Sequence, residues 1–248
     1  MIQSVRRALS LMECVASHHE RPVRLGEIAQ EVGLNAATCA HLLATLVEAD
    51  YLEQVAPRKG YVLGPMIHHL ARSSPYRERL VRIAEPLLRR FAATTGETAL
   101  VAGLHNRHRF ILTFSEGNQD IQISPDLFFR EDLLCPTGRQ LLAHLPESEL
   151  ESLLAEQKLP NSEWPEVSSL EEVRRELARI REEEMILVSR PEVTSFALPL
   201  YEGPKVVAAL GAFLPTARFT GRHRRQVLTE LRRTARSISE HLSRPTVT

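Results

Sequence analysis

The chain has 248 residues, 43% of them hydrophobic, which is enough for two ordinary domains with a core each. Lys+Arg and Asp+Glu both number 31, so the total charge neither names nor excludes a polyanionic partner, because nucleic-acid binding needs only a local basic face. Cys14, Cys39 and Cys135 lie far apart with no CxxC pair, which argues against a disulfide framework and for a reducing, cytoplasmic setting; no run of about 18 apolar residues offers a membrane span.

Arg6 and Arg7 before an apolar run from Ala8 to Ala16 imitate an export signal, but Glu13 interrupts the run and helical spacing accounts for it better. Val5, Ala8, Leu9, Met12, Val15 and Ala16 predict a first helix with one buried stripe, ending before Pro22. A second helix is expected from Leu25 to Val32. Gly33 then supplies a left-handed closing residue, and Asn35 an N-cap for a third helix reaching about Ala49. Tyr51 to Val55 and Tyr61 to Leu63 read as hairpin arms around a Pro57-Arg58-Lys59-Gly60 turn. A short helix-like "PMIHHLA" follows as a spacer, and the breaking residues Arg72, Ser73, Ser74 and Pro75 mark a domain boundary.

The remainder predicts a sheet with helices banked against it. Leu80 to Thr95 is helical, and "ETALVAGLHNRHRFILTFSEG" gives two strands around a polar tip at Asn106, Arg107 and His108. Gly138 to His144, Glu147 to Lys158 and Leu170 to Glu184 read as helices, followed by strand-like "ILVSRPEVTSFALPLYEG" and "KVVAALGAFLP". The last segment is a helix with Val227, Leu231, Ala235, Ile238 and Leu242 on one face.

The stretch "LGEIAQEVGLNAATCAHLL" has the spacing of a helix-turn-helix. Ala29 is small where two backbones must approach, Gly33 tolerates positive φ at the turn, and Ile28, Val32, Leu34, Cys39 and Leu42 supply the locking contacts. At about 100° per residue, Cys39, Leu42, Leu43 and Leu46 face inward while Ala37, Ala40, His41 and Ala44 face outward, with Thr38 on the flank. Small outward residues let a helix approach a groove floor. The candidate DNA-contacting residues are therefore Asn35, Ala37, Thr38 and His41, with Arg58 and Lys59 as a wing and Arg6 and Arg7 as further phosphate contacts. Residues 1 to 75 carry seven basic and seven acidic side chains, so a single copy should bind duplex weakly and a dimer on two half-sites would restore affinity.

In "QSVRRAL", "LGEIAQEVGLNAATCAHLLATLVEADYL" and "GYVLG" the chain resembles the IclR family of bacterial transcription regulators, and the likeness resumes in "CPTGRQLLAHLPESELESLL" and "SFALPLYEGPKVVAALGAFLPTARFT". The resemblance implies an α+β chain: a winged helix-turn-helix over residues 1–64, a linker helix over 65–75, and a GAF-like mixed α/β domain over 76–248 for effector binding and oligomerisation. It implies a dimer or tetramer on a palindromic operator and a small organic-acid or aromatic effector. Cys135, Pro136, Thr137, Gly138, Ser195, Gly211 and Phe213 are the effector-pocket candidates. The chain departs from the family pattern at His41, where arginine is usual, at Ser195, where cysteine is frequent, and at Gly211 and Phe213, where small polar residues are common.

No cofactor, metal or membrane partner is expected. GxSxG, P-loop and GxGxxG motifs are absent, which argues against an enzyme. His18-His19 and His68-His69 are adjacent pairs that point apart on a helix, His105 and His108 sit at a hairpin tip, and no spacing suggests a third ligand. The arginines of the last helix read as a solvated face. The competing function is a ligand-sensing or scaffold protein whose winged helix makes protein contacts, favoured by the neutral first domain and by His41.

Overall fold

The computed structural model describes residues 2–18, 21–73, 77–119, 133–157 and 164–244. The boundary residues Ser74 and Pro75, the second histidine of the first pair, His19, and the expected helix end Lys158 lie outside the described residues. The chain forms two compact units, Met1–Tyr76 and Arg77–Thr248.

The first unit consists of α1 (Gln3–Ser17), α2 (Leu25–Val32), α3 (Ala36–Glu48), a hairpin of β1 (Leu52–Ala56) and β2 (Gly60–Leu63), and α4 (Pro65–Ser73). Its core joins Leu11, Cys14 and Val15 of α1 to Ile28 and Ala29 of α2, Cys39, Leu43 and Leu46 of α3, and Leu52 and Tyr61 of the hairpin. The expected stripe on α1 is corrected here. Leu11, Cys14 and Val15 are buried and Ala8 and Met12 partly so, whereas Val5, Leu9 and Ala16 are exposed. Apolar residues occur nearly all round this helix, so periodicity alone could not choose the inner face. Contact with α2 and α3 chooses it.

The hairpin pairs Leu52 with Leu63 and Ala56 with Gly60, with an irregularity between Gln54 and Ala56. The segment between α1 and α2 adds a bridge, because Val23 and Tyr61 exchange both backbone hydrogen bonds at 3.0 and 2.9 Å. Gly60 allows this closure. Its φ is +116°, and a Cβ there would lie 2.8 Å from the Val23 carbonyl oxygen.

The second unit contains α5 (Glu78–Thr95), β3 (Thr98–His105), β4 (His108–Ser115), α6 (Pro136–Ala143), α7 (Glu147–Gln157), α8 (Leu170–Glu183), β5 (Ile186–Ser189), β6 (Val193–Glu202), β7 (Lys205–Pro215) and α9 (Gly221–Ser243). The strands form an antiparallel sheet in the order β4-β3-β7-β6-β5. Alternation along each strand sends successive side chains to opposite faces. Phe196, Leu198, Leu200, Leu210 and Ala212 pack with Leu88 and Phe91 of α5 and Leu231 and Ile238 of α9. On the other side, Ala197 joins a second core with Leu142 of α6, Leu153 of α7, Trp164, and Val173 and Leu177 of α8.

One buried ionic cluster fixes the start of β3. Glu97 is 2% exposed and accepts from the Arg218 guanidinium, with His223 Nε2 at 2.8 Å. It thereby ties the turn after α5 to the chain entering α9.

Replacing Gly60 by alanine should destabilise the first unit by about 1–3 kcal/mol, since the backbone must hold an L residue at strongly positive φ against a carbonyl. Calorimetric unfolding of the full chain, wild type against Gly60→Ala, measures this directly.

Candidate nucleic-acid interface and ligand-binding face

Helix α2 is held at both ends. At its start the Glu27 carboxylate accepts from the Arg24 N–H at 2.9 Å and pairs with Arg21 at 3.1 Å. The Arg21 hydrogen bond is the main reason the Glu27 carboxyl sits below its ordinary range. At its end Gly33 takes φ +69° and ψ +36°, and the N–H of Leu34 donates to the Ala29 carbonyl at 2.9 Å. Space around Gly33 is open, so its backbone angle and not crowding demands glycine.

The chain then enters α3 through Asn35, whose side-chain oxygen accepts from the Thr38 N–H at 2.8 Å. Asn35 is thus engaged as the helix cap. Cys39, Leu43 and Leu46 are buried and Leu42 half-buried, while Ala37, His41 and Ala44 are exposed and Thr38 and Ala40 are half-buried. Burial pushes the Cys39 thiol above its ordinary pKa, so it stays neutral as a packing group. The outer face of α3 carries the small Ala37 and Ala44 beside the polar side chains of His41, Thr45 and Glu48, with Thr45 Oγ1 donating to the His41 carbonyl at 3.1 Å.

Arg58 and Lys59 form the exposed tip of the hairpin, Arg58 itself at φ +66°. Arg6 is exposed and Arg7 half-buried on α1, beside the exposed apolar residues Ile2, Val5 and Leu9.

In the second unit, the effector candidates collect on the α6 side of the sheet. Phe213 belongs to a small cluster with Leu100 and Ala102, flanked by Ile111 and Val193. Ser195 pairs with Phe213 in register, and so shares its face. Gly211 lies directly under α6, since a Cβ there would meet the Thr137 methyl at 2.6 Å. Cys135 caps α6 and its Sγ lies 3.3 Å from Thr137 Oγ1. Pro136 fills the first turn of α6. At Gly138 a Cβ would come within 2.2 Å of the Leu133 carbonyl, so glycine here admits the preceding turn of the chain.

Two residues of this face escaped sequence reasoning. Arg109 of β4 is 5% exposed, and its Nε donates to Thr137 Oγ1 at 2.8 Å. Gln140 is fully buried one turn beyond Thr137 on the same side of α6, and among the described residues neither atom of its amide has a hydrogen-bond partner. An arginine on a hairpin arm and a glutamine in an amphipathic helix both read as surface residues until the fold covers them. The arginines of α9 at 222, 224, 225, 232, 233 and 236 are all exposed.

Family models match both units: the IclR helix-turn-helix domain over residues 4–56, and the bacterial transcriptional regulator IclR C-terminal over residues 76–240. Among curated relatives, the chain is 27% identical to the HTH-type transcriptional regulator TtgV of Pseudomonas putida, over 63% of this chain and 60% of that protein. It is 29% identical to the regulator BhcR of Paracoccus denitrificans, over 64% of this chain and 56% of that one. The chain therefore matches little more than half the length of these two relatives. It is 25% identical to the regulator XynR of Escherichia coli across 99% of both. Two solved structures share the fold. An IclR regulator from Alicyclobacillus acidocaldarius aligns with TM-score 0.73 at 24% identity, over 98% of this chain and 99% of that one. An IclR homolog from Microbacterium hydrocarbonoxydans, complexed with 4-hydroxybenzoate, aligns with TM-score 0.74 at 22% identity, over 97% and 99%. Among the described residues no helix is long and apolar enough to cross a membrane.

Asn35→Ala should cost about 1 kcal/mol of stability, because the Thr38 N–H loses its acceptor at the start of α3. Denaturant unfolding of the full chain checks it, and an unchanged midpoint would show that the cap contributes nothing.

Proposed function

The chain belongs to the IclR family of bacterial transcriptional regulators, and from that premise we propose that it is a cytoplasmic DNA-binding regulator that inserts α3 into the major groove of a palindromic operator. The observation that carries this reading is the division of α3. Its Cys39, Leu43 and Leu46 side is locked into the core, and its Ala37, His41 and Ala44 side is left exposed. In this reading Ala37 admits close approach to the groove floor, Thr38 and His41 reach base edges or phosphates, Arg58 and Lys59 touch the flanking backbone, and Arg6 and Arg7 add phosphate contacts.

Charge supports an assembled binder. With seven basic and seven acidic residues in positions 1 to 75, one copy gains little from counterion release, whereas two copies double every phosphate contact. The exposed stripe of Ile2, Val5 and Leu9 on α1, 69%, 53% and 52% exposed, supports pairing of two chains through that helix as a dimer, or a tetramer built from dimers.

For the second unit we propose an effector site on the α6 side of the sheet, taking a small carboxylate, aromatic or aliphatic. Arg109 supplies buried positive charge, Thr137 a hydroxyl, and the unpartnered Gln140 amide both a donor and an acceptor; Phe213 and Leu100 supply the apolar floor. Cys135 and Ser195 border it, and Gly211 lets α6 approach. The 4-hydroxybenzoate bound by the Microbacterium hydrocarbonoxydans homolog has this chemistry. Control of DNA binding then requires the ligand to bind unequally to two arrangements of the DNA-binding units.

Fragments selected from genomic DNA by the full chain should share a two-fold sequence, with affinity falling steeply as salt rises. On the recovered site His41→Ala should lose at least about 1 kcal/mol, and Arg58→Ala should lower the salt slope by about one unit. Recovery of unrelated sequences that bind equally well would overturn the reading. Gln140→Leu should leave stability unchanged or raise it by about 1–3 kcal/mol, since it removes an unsatisfied buried amide, while weakening 4-hydroxybenzoate binding measured by calorimetry. Equal binding by both proteins would remove Gln140 from the site.

A further inference from the structure

The end of α1 and the end of α2 bring together three groups that the sequence separates. Cys14 and His18 are four residues apart on one side of α1, with His18 at its C-cap, and Glu31 stands on the last turn of α2. Cys14 Sγ, a ring nitrogen of His18 and a carboxylate oxygen of Glu31 all lie within 4.8 Å of one another, the one such group of metal-ligating side chains among the described residues. The fold thus brings a carboxylate beside His18 that the histidine spacing alone did not suggest. The C-x-x-x-H spacing was present in the sequence, but a carboxylate thirteen positions further on could be recognised only after folding.

The geometry around His18 fixes which nitrogen faces the cluster. Nδ1 lies 2.9 Å from the Cys14 carbonyl oxygen and 3.1 Å from Ser17 Oγ; because the carbonyl only accepts, the tautomer that satisfies it has its proton on Nδ1. Nε2 faces the Glu31 carboxylate at 3.7 Å. A backbone carbonyl accepting from the far ring nitrogen is the arrangement that orients histidines bound to metals. Ser17 Oγ donates to the same carbonyl at 2.8 Å, which steadies it further. Cys14 is 5% exposed, whereas His18 and Glu31 keep a third to a half of their side chains in solvent, so the buried sulfur is reached from an open side.

Sulfur, nitrogen and oxygen donor atoms thus converge on one point, and such convergence is stabilised by a cation placed between them.

We propose that Cys14 Sγ, His18 Nε2 and the Glu31 carboxylate bind one thiophilic divalent cation of the zinc class, clamping α1 to α2. Sulfur, imidazole and carboxylate form a donor set suited to zinc, and three protein ligands leave the fourth tetrahedral position to water. Ligand atoms around tetrahedral zinc lie roughly 3.3–3.8 Å apart, so the cluster closes by side-chain adjustments of about 1 Å. On binding, the sulfur–hydrogen bond breaks, the sulfur electron pair goes to the metal, and the proton leaves to solvent.

The test is titration of the reduced, full-length chain with cobalt(II) alone, followed by displacement with zinc(II). One equivalent should give tetrahedral visible bands and a near-ultraviolet thiolate-to-cobalt charge-transfer band, both erased by one equivalent of zinc. Cys14→Ser should abolish the charge-transfer band, and Cys135→Ser should leave it intact. Because Cys14 is buried, Glu31→Gln serves as the surface variant, checked for folding by circular dichroism. It should weaken zinc binding beyond the roughly 10–100-fold typical of removing an outer-shell partner. Absence of the charge-transfer band, its survival in Cys14→Ser, or equal zinc affinity in Glu31→Gln would each show that the cluster is a histidine–carboxylate contact beside a thiol and not a metal site.

Discussion

Everything the first unit offers to a partner depends on the packing of Cys39 and Leu43 of α3 against Ile28 of α2 and Leu11 and Val15 of α1. An eight-residue helix such as α2 is too short to persist in water on its own, so tertiary burial must hold it. Burying these side chains fixes the rotation of α3 about its axis and leaves Ala37, His41 and Ala44 outside. The turn at Gly33 makes the packing attainable. Its positive φ lets the Leu34 N–H fold back to the Ala29 carbonyl within one residue, which closes α2 and redirects the chain into α3. A β-branched residue at this position would strain the turn, and the outward face would lose its definition before any contact with DNA was made.

This much was legible in the sequence because each feature is local. A glycine between two amphipathic runs, an asparagine three residues before Thr38, and a basic turn between strand-like arms all report on backbone geometry within a few residues. The features that were not legible join distant segments. Val23 pairs with Tyr61 although neither lies in a strand-like run with the other. Arg109 of β4 meets Thr137 of α6 across 28 positions of sequence, and Gln140 is buried because α6 packs on the sheet. The close approach of Leu133 to Gly138, which leaves no room for a Cβ, likewise had no signal in the sequence. Apolar periodicity likewise could not decide the orientation of α1, since Val5 and Leu9 fit a buried stripe as well as Leu11 and Cys14 do.

The two faces of the sheet in the second unit differ in polarity. The α5 and α9 side is a continuous apolar core with alternate residues of β3, β6 and β7 filling it. The α6 side holds less apolar material near Phe213 and more buried polarity in Arg109, Thr137 and Gln140. A buried amide with no partner costs about 1–3 kcal/mol relative to a satisfied one, and native proteins retain few such groups. Its position beside Thr137, which already engages Arg109 and Cys135, places the cost in the part of the sheet face where a polar ligand could offset it.

Helix α1 links the proposed roles of the first unit because its faces do different things. Ile2, Val5 and Leu9 form an exposed stripe suited to a second copy, Leu11 and Val15 support the recognition pair, and Cys14 and His18 meet Glu31. The sulfur of Cys14 belongs to both the apolar core and the polar cluster, so a cation held there would bind directly to a side chain that packs with Ile28 and Cys39. Such a clamp adds its binding free energy to the folded state by linkage, because the three ligands converge only when α1 and α2 are docked. Its effect would fall first on the angle between α1 and α2, and hence on how the stripe of α1 is aimed relative to the outer face of α3.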